Sequence, residues 1–195
     1  MSVKNLKSKK TEIRSRHKKL RESFPEDKKA EFDAAIAERF LGLSEYKSCD
    51  TLLAFVSKDI EVDTEEIINS AFKDGKRVAV PKCDTETTTI EFYEISSYDD
   101  LEQGFYGLLE PKKSCKKVEN FDNSVCMVPG LVYDREGFRL GFGKGYYDRF
   151  LIDYSGVTVG VCYSRCIEKE IPRGFYDRPI GMVVTEKYII DNRNL

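Results

Sequence analysis

The chain has 195 residues, 41% of them hydrophobic and 34% charged, with a net charge of −2, which fits one domain long enough to bury a core. No run approaches the roughly eighteen apolar residues of a membrane span, and the basic N-terminus lacks the apolar stretch of a secretory signal, so a cytoplasmic protein with no membrane partner is expected. The six cysteines, Cys49, Cys83, Cys115, Cys126, Cys162 and Cys166, form no CxxC and no ligand set of zinc-site spacing, which predicts reduced thiols.

Charge is unevenly spread. Lys4, Lys7, Lys9, Lys10, Arg14, Arg16, Lys18, Lys19 and Arg21 face only Glu12 in the first 21 residues, and the remainder is acidic. Such a block suits nucleic acid, the phosphates of one small ligand, or simply a solvated helix face. Ile13, His17, Leu20 and Phe24 run through it at helical spacing and predict an amphipathic helix. His17, the only histidine, falls on that apolar stripe as a structural residue, which excludes histidine triads and histidine metal sites.

Ser23 is expected to cap a second helix, with Pro25 in its first turn, Phe32, Ile36 and Phe40 as its stripe, and Gly42 at its end. Residues 51–56 form a continuous apolar run and predict a buried strand. Asp63 or Thr64 opens the next helix, with Glu65 and Glu66 in the first turn and Ile67, Ile68, Ala71 and Phe72 facing inward. Further core strands are predicted over 77–81, 125–128, 157–161 and 182–185, an edge strand over 90–95, a loop over 112–117, a turn over 134–137 and a helix over 146–154. Cys126 reads as core. Strands alternating with helices predict an α/β single-domain layered fold, Rossmann-like, with a mainly parallel central sheet flanked by helices.

The stretch Arg139-Leu140-Gly141-Phe142-Gly143-Lys144-Gly145-Tyr146-Tyr147-Asp148 carries the chemistry. Glycines let backbone N–H groups turn toward a ligand unobstructed, a helix N-terminus adds partial positive charge, and Lys144 adds a full one. Asp148 supplies a hard oxygen suited to magnesium. These parts suit a nucleoside triphosphate, although the spacing is not that of a Walker A loop. A plain glycine-rich turn before a helix is the alternative, with Tyr146 and Tyr147 as core aromatics and Asp148 as a first-turn helix carboxylate.

The segment RLGFGKGYYDRFL (139–151) resembles the signature of the 5-formyltetrahydrofolate cyclo-ligases, also called methenyltetrahydrofolate synthetases. Lys10-Thr-Glu-Ile-Arg14, VSKDIEVDTEEI (56–67), GLLEP (107–111), VPGLVYD (128–134) and DRPIGMVVTE (177–186) are similar to further family segments, in the same order.

The resemblance implies one cyclo-ligase domain over residues 1–195, whose basic N-terminal helix contributes to the nucleotide site. Lys10 and Arg14 would meet the triphosphate, and residues 139–147 would wrap it from the other side, with Arg139 and Lys144 as catalytic cations. Asp148 would help hold magnesium. Folate contacts would come from Val56, Glu61, Tyr106 and the loop Phe142, Gly143, Lys144, Gly145 and Tyr146. Phe105 and Tyr106 occupy an aromatic position suited to stacking on the pterin. Glu61 read alone is also a capping or surface carboxylate. Thr185 stands where some members carry an acidic residue, so the resemblance leaves the metal's coordination incomplete.

The implied reaction is the ATP- and magnesium-dependent closure of 5-formyltetrahydrofolate to 5,10-methenyltetrahydrofolate by a monomer, with release of ADP and phosphate. Phosphorylation of the formyl oxygen would turn a poor leaving group into a good one. Such chemistry needs alignment and charge neutralisation rather than covalent help. Two other readings stand beside it. One is a sugar-phosphate isomerase or CoA-transferase-like enzyme on a related framework, which needs a catalytic carboxylate and no ATP. The other is a non-catalytic binder of nucleotide or nucleic acid through the basic helix, disfavoured by overall acidity and the lack of a recognition module.

Overall fold

The computed structural model describes residues 3–104 and 107–193. Along the chain these form α1 (Val3–Glu22), α2 (Glu26–Gly42), α3 (Ser44–Ser48), β1 (Thr51–Leu53), α4 (Glu65–Lys73), β2 (Arg77–Asp84), β3 (Thr89–Ile95), β4 (Leu101–Gln103), β5 (Leu109–Pro111) and β6 (Ser124–Val128). Then follow β7 (Val132–Asp134), β8 (Arg139–Leu140), α5 (Tyr146–Asp153), β9 (Val157–Val161), β10 (Ile167–Glu168), β11 (Met182–Val184) and β12 (Ile189–Asp191).

The central sheet has seven strands in the order β12-β11-β9-β6-β1-β2-β3. The inner pairs β11–β9, β9–β6, β6–β1 and β1–β2 are parallel, and the edges β3 and β12 are antiparallel. Helices cover both faces of a doubly wound sheet, so inner strands lack a solvated side and read as unbroken apolar runs. Every residue of β1, β6 and β11 is buried, with Leu52 aligned between Val78 and Val125. Two small sheets, β10-β7-β8 and β4-β5, lie outside the main one. Among the described residues no helix is long and apolar enough to cross a membrane.

Several boundaries differ from the sequence expectation for local reasons. The Ser23 hydroxyl donates back to Leu20 O at 2.7 Å, so it closes α1; α2 begins at Glu26 with Pro25 as the flanking residue. Thr64 is the N-cap residue of α4, but the side-chain acceptor at this end comes from Asp63, whose carboxylate accepts from Glu65 N at 2.9 Å. The Thr64 hydroxyl instead donates to Phe55 O at 2.7 Å. The first strand stops at Leu53; Ala54 N still donates to Ala79 O at 2.8 Å, and the chain then continues as a loop. β2 runs past Pro81 to Asp84 by pairing with β3.

Helix α1 turns a cationic face inward. Lys10, Arg14, His17 and Arg21 recur at spacings of four, three and four, which puts them on one side of a helix. His17 and Arg21 are buried, whereas Ile13 and Leu20 of the expected apolar stripe are only half-buried. Each inward residue meets a polar atom far along the chain: Asp177 for Lys10, Gly141 O for Arg14, Glu168 for His17 and Gly130 O for Arg21.

Candidate active site

In a doubly wound sheet, ligands bind where neighbouring connections diverge, beyond the carboxyl ends of the strands. Here β1 leads through α4 to β2, while β6 leads through α5 to β9, so the crevice lies between the loops after β1 and β6. Arg21 bridges those loops. Its guanidinium donates to Gly130 O and Leu131 O, each at 2.7 Å, and to Ile60 O at 3.2 Å. It also lies 5.2 Å over the Tyr163 ring. The Tyr163 hydroxyl donates to Asp33 Oδ1 at 2.7 Å and to Glu61 O at 3.1 Å.

Glu61 sits in this loop and is buried, its carboxylate accepting from Lys58 N at 3.0 Å. Burial pushes its pKa up, against the pull of the Lys58 N–H and of the Arg21 charge. The Tyr147 hydroxyl is buried with no hydrogen-bond partner among the described residues. Burial raises its pKa well above the usual value, with Cys126 and Glu61 adding to the effect. Glu61 and Tyr147 therefore share one electrostatic environment. Val56, in the same loop as Glu61, is half-buried and packs against the core.

The second part of the site follows β8. Arg139 is buried; its Nη2 pairs with Asp148 Oδ1 at 2.9 Å and its Nη1 donates to Arg178 O at 3.3 Å. The intervening loop needs glycine: Gly143 has φ +98° and Gly145 φ +76°, a region that side-chain-bearing residues disfavour. Arg14 Nε donates to Gly141 O at 2.7 Å, and a Cβ on Gly143 would stand 3.3 Å from Arg14 Cζ. Burial lowers the Arg14 pKa, and Asp177 and Asp148 partly offset this, so both carboxylates act on Arg14. Lys10 pairs with Asp177, whose carboxylate also accepts from Gly174 N at 2.6 Å. Arg149 donates to Lys144 O and Gly145 O, bracing the entry to α5.

The structure thus gathers Lys10, Arg14, Arg139 and Asp148 around the glycine loop, and sets Glu61 in the loop after β1, while Tyr147 packs against the core. Phe142 and Lys144 are exposed on the loop, and Tyr146 is half-buried against the core. Leu140 points elsewhere: its side chain is buried with Val132 and Ile171, and its carbonyl accepts from Leu131 N. Tyr106 lies outside the described residues. Two polar residues at the site were not singled out from the sequence. Arg21 carried a signal, being one heptad beyond Arg14 on the same helix face. Asp177 opens the family-like segment 177–186, but nothing in the sequence joined it to Lys10, 167 positions away.

Among the described residues no three histidine, cysteine, aspartate or glutamate side chains cluster as metal ligands. Magnesium bound with nucleotide needs no such cluster, since one or two carboxylates plus phosphate oxygens and water complete its shell. Asp148 fits that role, with one oxygen engaged by Arg139 and the other, Oδ2, 4.0 Å from where a Cβ on Gly145 would be. Thr185 does not add to it. It is fully buried, and its hydroxyl donates to Tyr188 O while accepting from Lys187 N and Tyr188 N.

Lys10, Arg14 and Arg139 thus stand at a glycine loop, next to a second loop that buries the Glu61 carboxyl. Residues 6–186 match the model of the 5-formyltetrahydrofolate cyclo-ligase family. The chain belongs to that family. It is 30% identical over 175 residues to the probable 5-formyltetrahydrofolate cyclo-ligase of Schizosaccharomyces pombe, covering 81% of this chain and 85% of that one. It is 25% identical over 177 residues to the 5-formyltetrahydrofolate cyclo-ligase of Haemophilus influenzae, covering 88% and 95%. The solution structure of Aquifex aeolicus 5,10-methenyltetrahydrofolate synthetase superposes with a TM-score of 0.83 at 32% identity, over 94% of this chain and 93% of that one. As a cyclo-ligase family member the chain is an enzyme, a ligase, on the mixed α/β fold of these relatives.

Proposed function

We propose that this enzyme closes 5-formyltetrahydrofolate to 5,10-methenyltetrahydrofolate at the expense of ATP, with magnesium, releasing ADP and phosphate. The observation that carries this reading is the convergence of Lys10 and Arg14 from α1 with Arg139 and the loop 141–145, within the region matched to the family. Cations and backbone donors fixed before the ligand arrives stabilise charge transfer without reorganising.

The formyl group on nitrogen is amide-like: its carbon is a weak electrophile and its oxygen a poor leaving group. Attack of the formyl oxygen on the γ-phosphorus forms an O–P bond and expels ADP. The neighbouring folate nitrogen then attacks the activated carbon, loses its proton, and phosphate leaves with the former formyl oxygen. Lys10, Arg14, Arg139 and Lys144 would hold the phosphates in line and neutralise charge on the transferring group. Asp148 would hold magnesium, which when bound offsets phosphate charge. Glu61 and Val56, in the crevice, would orient the folate, and the loop Phe142 to Tyr146 would separate the two ligands while touching both.

Stoichiometry tests the reading: one ADP and one phosphate should appear for each methenyl group formed. Methenyl formation without ADP would overturn it. A monomeric protein acting on these two small molecules completes the proposal.

A further inference from the structure

We propose that residues 174–178 form the nucleobase platform of this site, with Phe175 and Tyr176 stacking on the purine of the bound nucleotide. The proposal rests on the nucleotide reading above. Phe175 and Tyr176 are 85% and 69% exposed, more than any other large apolar side chain among the described residues. Their rings meet edge to face, 5.2 Å apart at 89°, which leaves ring faces open to a third aromatic group.

The turn beneath them is fastened at both ends. Gly174 N donates to the Asp177 carboxylate and Asp177 N to Gly174 O, while Arg178 Nη1 donates to Phe175 O at 3.2 Å. Just upstream, Arg173 pairs with Asp134 and Glu136 and covers the Phe138 ring at 4.1 Å. Two aromatic side chains are thus displayed to solvent on anchored backbone.

The anchors are what connect the turn to nucleotide. Asp177 is the partner of Lys10, and Arg178 O accepts from Arg139, so the turn touches a phosphate cation from each side of the cradle. A base is joined to its phosphates through one ribose, so its platform must border the cradle without lying in it. This turn does so. Stacking uses the base's π face and is tolerant of its edge groups, so adenine and guanine nucleotides should bind alike.

Calorimetric titration of the full chain with ATP and with inorganic tripolyphosphate, both with magnesium, tests the platform. The double variant F175A/Y176A should bind ATP about tenfold more weakly and tripolyphosphate as tightly as the unmodified protein. The aromatic swap F175Y/Y176F should keep the original ATP affinity. Unchanged ATP affinity in the alanine pair, or an equal loss for tripolyphosphate, overturns the platform while leaving the cradle standing. An unmodified protein that binds neither ligand overturns both the platform and the nucleotide reading on which it rests.

Discussion

The Asp148 carboxylate lies 2.9 Å from the guanidinium of Arg139, a side chain only 4% exposed. A cation so far out of water needs a counter-charge, and removing one partner of such a pair leaves the other uncompensated. This pair joins the start of the glycine loop to the first turn of α5, so one carboxylate serves both the loop's structure and the proposed metal. Asp148→Asn should lower stability by about 2 kcal/mol, less than a fully buried pair would lose, because Asp148 is partly solvated. It should also lower kcat on the order of a hundredfold and raise the magnesium needed for half-maximal rate. Urea unfolding and a magnesium titration of the rate check both effects. An unchanged magnesium midpoint would remove Asp148 from the metal.

Lys144 is exposed at the tip of the loop, so its role is separable from folding. Lys144→Ala should cut kcat/KM about a hundredfold, with unfolding free energy unchanged within about 0.5 kcal/mol. Steady-state kinetics alongside denaturation measures this. Full activity in the variant would end the loop's proposed part in phosphoryl transfer.

Glu61 carries a pKa raised by burial, so its charged form disappears at a higher pH than that of an ordinary glutamate. If the carboxylate contacts folate, the KM for 5-formyltetrahydrofolate should rise as pH falls through that raised value, while the KM for ATP stays level. Glu61→Gln should raise the folate KM tenfold or more and abolish its pH dependence in this range. Matched profiles in the two proteins would assign Glu61 to structure alone.

His17 Nε2 donates to Glu168 Oε1 at 2.7 Å. Burial pulls its pKa down, but Cys166 and Glu168 outweigh that, and the folded value lies above the usual one. A raised histidine pKa contributes stability that is fully present below the unfolded value of about 6.5 and is lost as pH rises through the folded value. The stability gap between the unmodified protein and His17→Gln should therefore be widest near pH 6 and narrow toward pH 8.5. Unfolding free energies across that range provide the check, and a gap that widens with pH would reverse the assignment.

The inner strands were legible because a doubly wound sheet buries both faces, and 125–128 and 157–161 therefore read as apolar runs. The two-residue strands β8 and β10 were not, since their pairing with β7 depends on contacts made only in the folded chain. The glycine loop was equally legible, because left-handed backbone and a helix start leave a local mark in residues 143–146. Helix α1 was legible as a helix that turns Ile13, His17 and Leu20, with Phe24 beyond its end, toward the core, but the cationic half of its inward face was not. Periodicity weighs Ile13 and Leu20, whereas the buried Arg21 is stabilised by the carbonyls of Gly130 and Leu131, more than a hundred residues away. The Lys10–Asp177 pair is invisible for the same reason.

The most direct test of the proposed reaction is the near-ultraviolet absorbance of the methenyl product when purified protein meets 5-formyltetrahydrofolate, ATP and magnesium. Absorbance that grows only when all three are present is the predicted result. No absorbance from folded protein that binds ATP, or growth that persists without ATP, would contradict it.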